Sequence, residues 1–250
     1  MQEFNYLINL LQKATPFCFV RFNDGEMKGV RKAGVTVARG DQKVDELLHK
    51  KLQDALKFRS HNYWIGKPCS KCFGGLRKVY ENYVEDDYPY QTYAVSLINN
   101  GRWLQSYDAI CSIKRPVYWI GGESQDLTRL SNRGVRIKKQ FRVSEKNGWK
   151  SFDELSGLDF PSKSVIMLSC GPMSRVLAHL YWKRQEGEIT VLDIGSLIDP
   201  VTRGVWFGCH THKRKLGTCG RKVCKECNWR TEDSRLLKAG NNKKAILELV

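Results

Sequence analysis

Hydrophobic positions in the first 200 residues of this 250-residue chain fall into short blocks that switch between strand-like and helical spacing. Phe17 to Phe22 is an apolar run behind Pro16, suited to a buried strand, and it ends in the turn-forming Asn23-Asp24-Gly25. Asp41 to Phe58 sets Val44, Leu47, Leu48, Leu52, Ala55 and Leu56 at helical spacing behind an Asp41 cap. Tyr63 to Ile65 predicts a strand running into a loop with Gly66, Pro68 and Cys69, and Thr92 to Ile98 a further strand or helix start. Pro116 to Ile120 predicts a strand followed by Gly121-Gly122. Ser164 to Ser169 predicts a strand, Met173 to Gln185 an amphipathic helix, and Ile189 to Ile194 the strand after it.

Such alternation predicts an α/β fold: a Rossmann-like, largely parallel sheet with flanking helices, whose binding loops lie at the carboxyl ends of the strands. After Pro200 the pattern breaks. Trp206 to Trp229 has little apolar periodicity and many Cys, His, Lys and Gly residues. The expected organisation is therefore a domain over 1–200 and a basic, Cys/His-rich tail over 201–250.

Composition narrows the class. With 41% hydrophobic and 11% aromatic residues, a chain of this length can bury about 70–75% of its unfolded surface, which excludes a disordered polymer. The longest apolar stretches fall far short of a membrane span, and Met1 to Thr15 lacks a basic n-region followed by an apolar h-region. A cytoplasmic, unexported protein is expected. The nine cysteines, an odd number, then point away from disulfides and toward metal ligation where they cluster.

Charge adds a partner. The formal net charge is +16, from 42 basic and 26 acidic side chains, and residues 201–250 hold 12 basic against four acidic ones, half of the excess. A second run, Arg129 to Lys150, has eight basic residues against Glu145 alone. Either run could be a solvated face; two in one chain favour a polyanionic partner or substrate.

Three segments carry candidate chemistry. In Arg21-Phe22-Asn23-Asp24-Gly25-Glu26, two carboxylates flank a glycine at a strand end, the oxygen ligands that Mn2+ or Mg2+ prefers, with the Arg21 fork at hand for an anionic group; the segment is equally an ordinary turn. Ser169-Cys170-Gly171-Pro172-Met173-Ser174-Arg175 joins a strand to a helix, and its glycine, helix N-terminus, Ser174 and Arg175 suit a phosphate, although a simple tight connection reads the same way. Asp193 in Leu192-Asp193-Ile194-Gly195, with Asp199 behind it, places carboxylates at another strand end, where an Asp also serves as a cap.

In this order the segments resemble the GT-D-type glycosyltransferases, whose Asp-x-Glu motif serves the metal and the nucleotide-sugar donor. Ile65-Gly66-Lys67-Pro68-Cys69 is similar to that family's Gly-Ile-Pro-Cys segment, and Leu97 to Asn100 and Val117 to Gly121 fall where it has comparable strands. The resemblance spans roughly residues 15–200. It implies that Asp24 and Glu26 form the metal and diphosphate motif, that Arg21, Asn23, Gly25, Gly171, Ser174 and Arg175 surround the donor, a UDP-sugar, and that sugar passes to an acceptor hydroxyl. Asn23 stands where the family usually has glycine, a residue tolerant of positive φ. Asp193, Asp199 and Glu123 are the candidate general bases.

The tail lies outside the resemblance. Cys209-x2-His212 and Cys224-x2-Cys227, with Cys219 and His210 to spare, have spacings that tight knuckles can bring to one structural Zn2+. Cys69-x2-Cys72 is a second thiolate pair or a packed loop. Lys213, Arg214, Lys215, Arg221 and Lys222, with Trp206 and Trp229 nearby, suit a nucleic-acid backbone or simply decorate a zinc-stabilised cap. The expected acceptor is a hydroxymethylated pyrimidine in DNA, as for a viral-type DNA-modifying member acting in host cytoplasm. The alternatives are a transferase for a cell-surface glycan or glycoprotein, and a non-catalytic zinc and nucleic-acid-binding module on the same scaffold.

Overall fold

The computed structural model describes residues 2–37, 42–94, 103–146 and 148–202. In chain order its elements are α1 (Gln2–Gln12), β1 (Cys18–Arg21), α2 (Asp24–Arg31), β2 (Thr36–Val37), β3 (Gln42–Lys43), α3 (Glu46–Lys57), β4 (Tyr63–Lys67), α4 (Ser70–Glu81), β5 (Gln91–Tyr93) and α5 (Trp103–Cys111), followed by β6 (Val117–Gly122), α6 (Thr128–Asn132), β7 (Ile137–Val143), α7 (Phe152–Ser156), β8 (Val165–Ser169), α8 (Met173–Arg184), β9 (Thr190–Asp193) and α9 (Asp199–Thr202). Seven strands form one sheet in the order β5-β4-β1-β9-β8-β6-β7, every pairing parallel. The Cys/His tail, with Cys209, His212, Lys213, Arg214, Lys215, Cys219, Arg221, Lys222, Cys224 and Cys227, lies outside the described residues. So does the expected continuation of the Thr92 strand beyond Ala94.

Strand alternation sorts the core into two layers. Phe19, Trp64, Trp119, Met167 and Leu192 pack with α1 and α5 on one face, while Cys18, Val20, Ile65, Ile120, Ile166 and Val191 pack with α2, α3 and α8 on the other. The helix read as amphipathic, α8, is buried on nearly every side, because it lies against β1, β8 and β9 and is itself covered by α3 and α7. Helix α3 starts four residues later than expected from Asp41: its cap is Asp45, whose carboxylate accepts the Leu48 amide at 2.7 Å, and Gln42–Lys43 is a short strand.

The basic run from Arg129 becomes α6, the sheet-edge strand β7 and the segment leading into α7. Lys138, Lys139 and Arg142 are exposed along β7, which pairs with β6 alone among the described strands. Charge on an edge strand discourages further pairing. Lys138 is the extra residue of an irregularity opposite Val117 and Tyr118.

One buried titratable group in α8 makes the fold acid-sensitive. His179 is 9% exposed and packs against Phe58 at 4.7 Å between ring centroids, the rings tilted by 50°. Burial, then Lys183, lowers its pKa from 6.5 to about 4. The neutral ring is favoured in the fold, so its stabilisation is complete above pH 6.5 and is lost as pH falls toward 4. Denaturant unfolding should show a loss of roughly 2–3 kcal/mol across that window, and His179→Phe should remove most of this slope.

Candidate functional site

Where β1 and β9 lie side by side, the chain leaves them in opposite directions: β1 leads to β4 and β5, whereas β9 is reached from β8. Such a switch point opens a crevice at the carboxyl ends of the strands. Arg21 ends β1, Asp193 ends β9, and α2 begins three residues after Arg21.

Asn23-Asp24-Gly25 is not a turn but the cap and first turn of α2. The Asn23 carbonyl accepts the Met27 amide, and the Asn23 N–H donates to Glu26 Oε2 at 3.2 Å. The φ of Asn23 is −105°, so no left-handed conformation is needed there. Gly25 sits in the helix with ordinary contacts around it. Two positions apart on a helix, Asp24 and Glu26 project in different directions. Glu26 turns inward: its other oxygen, Oε1, is 3.2 Å from Arg175 Nη2. Asp24 is half-buried, and burial, followed by the nearby Glu26 carboxylate, raises its pKa.

Beneath them lies a buried ionic network. Arg175 Nε donates to the Arg21 carbonyl at 2.6 Å and lies 2.9 Å from Asp193 Oδ2 in an ion pair, and Nη1 donates to the Gly171 carbonyl at 2.6 Å. Asp193 also accepts the Arg21 amide at 3.1 Å. It is fully buried, and its carboxyl pKa is raised by burial against the opposing pull of Arg175 and Arg21. Asp193 and Arg175 therefore work as buried supports, with no face of Asp193 open to an acceptor.

Arg21 differs. Its Nε donates to the Asp193 carbonyl at 3.1 Å, while neither Nη group has a hydrogen-bond partner among the described residues. Its guanidinium lies over Gly195, whose φ is +47°, and a Cβ at 195 would overlap Arg21 Nη2. Glycine is required there on both counts.

The loop after β8 departs from the expected phosphate cradle. Gly171 has φ +65°, but the space beside it is filled by the Gln42 side chain, which a Cβ would meet at 2.5–2.9 Å. Ser174 is fully buried and accepts the Cys170 amide at 3.0 Å. The amides of Ser174 and Arg175 bond back to Gly171 and Pro172 carbonyls. The Ser174 hydroxyl and the Cys170, Ser174 and Arg175 amides are thus spent on the loop itself. Cys69 is buried and in no disulfide among the described residues, and the Cys72 side chain lies outside them.

Of the base candidates, Glu123 is exposed beyond β6. Asp199, at the start of α9, is 6% exposed, and its Oδ1 lies 3.3 Å from Gln125 Nε2. Gln125 is a site residue that the sequence reading missed; the Gly121-Gly122 pair is its only signal, since a Cβ on Gly121 would overlap Gln125 Oε1.

No three or more His, Cys, Asp or Glu side chains among the described residues are grouped to hold a metal ion. A hard cation bound mainly by substrate phosphates needs only one or two carboxylates. Asp24 fits that lesser demand, whereas both Glu26 oxygens are engaged. No described helix is long and apolar enough to cross a membrane.

No protein-family model matches this chain, and no curated protein does. Two solved structures share the fold. One is described as the selenomethionine-substituted structure of domain of unknown function 1792, the other as showing that this highly conserved domain has a distinct glycosyltransferase fold. Each match has a TM-score of 0.56 and 15% identity, covering 78% of this chain and 75% of the other. The chain therefore has the glycosyltransferase fold described for that domain.

Proposed function

We propose that this protein is a glycosyltransferase that takes a nucleotide sugar, a UDP-sugar, and passes its sugar to a hydroxyl on a hydroxymethylated pyrimidine in DNA. The observation that carries the transferase reading is the Arg21 fork: two Nη groups without partners among the described residues at the carboxyl end of β1, held flat by Gly195 and backed by a buried network. In transfer, the bond from the anomeric carbon to the diphosphate oxygen breaks and its electron pair leaves with the diphosphate. The acceptor oxygen bonds to that carbon, and its proton goes to a base. Arg21 is placed to offset the charge gathering on the departing diphosphate. Mn2+ or Mg2+, when bound, would supply further positive charge there, and Asp24 is the carboxylate that would hold it. Glu26 serves by fixing the start of α2 and the Arg175 fork.

The DNA acceptor rests on charge: +16 overall, half of it in a tail whose Cys209, His212, Cys219, Cys224 and Cys227 have the spacing for structural Zn2+. The test is nucleoside mass spectrometry after incubating the protein with hydroxymethylated DNA, Mn2+ and a panel of sugar nucleotides. A hexose-sized gain on the base is expected. Sugar-nucleotide turnover with unchanged DNA would move the acceptor to a glycan, and no turnover with any donor would overturn the transferase reading.

A further inference from the structure

Gln125 follows β6 and is completely buried, which leaves its amide no water to satisfy it. Every bond it makes has one possible direction. Trp119 Nε1 is a donor only, and at 3.2 Å it requires Gln125 to present Oε1 on that side. The Nε2 end then faces Ser169 Oγ at 2.9 Å and Asp199 Oδ1 at 3.3 Å. Ser169 spends its own hydrogen on the Gly195 carbonyl at 2.6 Å, so it accepts from Gln125. One N–H remains, aimed at Asp199. The indole thus locks the amide, and the amide orients the carboxylate.

Asp199 is also connected to the donor fork through this network: Ser169 links Gln125 to the carbonyl of Gly195, over which Arg21 lies. Asp193, by contrast, is closed in by Arg21 and Arg175.

We infer that Gln125 is a positioning residue that holds Asp199, through the Trp119-locked amide, as the base of the acceptor half-site. This rests on the transferase reading. A carboxylate that accepts a proton in the transition state contributes about 10²–10⁴-fold, and misaligning it forfeits part of that factor.

The test is a double-mutant cycle on the full chain, reading kcat and the KM for the sugar nucleotide. Asp199→Asn should lower kcat at least about 100-fold. Gln125→Met should lower it roughly 10-fold or more, with the donor KM unchanged. In the Asp199→Asn background, Gln125→Met should cost nothing further, because its effect runs through Asp199. Trp119→Phe, which leaves the amide in place and removes only its lock, should give a smaller kcat loss and covers the case in which Gln125→Met does not fold. Losses that multiply in the double variant, or an unchanged kcat in either Gln125→Met or Trp119→Phe, would overturn the inference. An inactive wild-type chain would instead sink the transferase reading, and the inference with it.

Discussion

Arg175→Met should lower the melting temperature by roughly 10 °C or more, the largest stability effect expected of any single change in the site. Arg175 is 2% exposed and joins Asp193, Glu26, the Arg21 carbonyl and the Gly171 carbonyl. Methionine fills most of the same volume but leaves the Asp193 carboxylate facing an apolar chain. Breaking a buried ion pair from one side typically costs about 3–5 kcal/mol, and a domain of this size loses about 2–4 °C per kcal/mol. The deficit should depend on pH. Burial already raises the Asp193 pKa, and Arg175 is the first of the groups that oppose it. Without Arg175 the pKa rises further, so the protonated acid relieves the variant at low pH and the relief is lost as pH rises. Paired denaturant titrations at pH 4 and pH 7 should show the wider gap at pH 7. An equal gap at both would mean that Asp193 is not the group left uncompensated.

Arg21→Lys should reduce kcat/KM for the sugar nucleotide by roughly 10²–10³-fold, about 3–4 kcal/mol of transition-state stabilisation. The charge is retained, so the loss measures the fork. A guanidinium offers two parallel donors to a phosphate, whereas an ammonium is a point charge on a flexible stem. Folding should be largely spared, because Arg175 keeps its bond to Asp193. Gly195→Ala provides an independent check: its Cβ would displace the same guanidinium without touching Arg21 chemically. Steady-state kinetics on both variants should therefore show similar losses. Values within threefold of wild type for both would remove the diphosphate from this end of β1.

The strands were the most legible part of the sequence. Their runs are short and apolar because parallel strands covered on both faces need no polar alternation, and β1, β4, β6, β8 and β9 fall where those runs lie. Helix boundaries were less so: Asp41 and Asp45 are both good caps, and the pairing of Gln42–Lys43 with β2 leaves the second to start the helix. Arg21 and Arg175 read alike in sequence, as cations beside candidate loops. Their roles separate only in three dimensions, where Arg175 spends its donors on the surrounding chain and Arg21 keeps two groups without hydrogen-bond partners among the described residues. Gly171 and Gly195 likewise share a positive φ, but one accommodates Gln42 and the other accommodates Arg21. Only the Gly121-Gly122 pair marks Gln125 locally, and its side-chain partners are six to 74 residues away.

The strand order has a consequence for how the molecule is made. Among the described strands the first, β1, and the last, β9, are neighbours, and the Arg21 amide meets the Asp193 carboxylate across 172 residues of chain. Without β9, β5-β4-β1 and β8-β6-β7 would be two half-sheets, with the short apolar strands β1 and β8 as their inner edges. Such edges are prone to pair with other chains. The corner that holds Arg21 is thus assembled by the same late insertion that joins the halves, so a nascent chain stopped before Thr190 would have neither a continuous sheet nor the corner proposed for the donor.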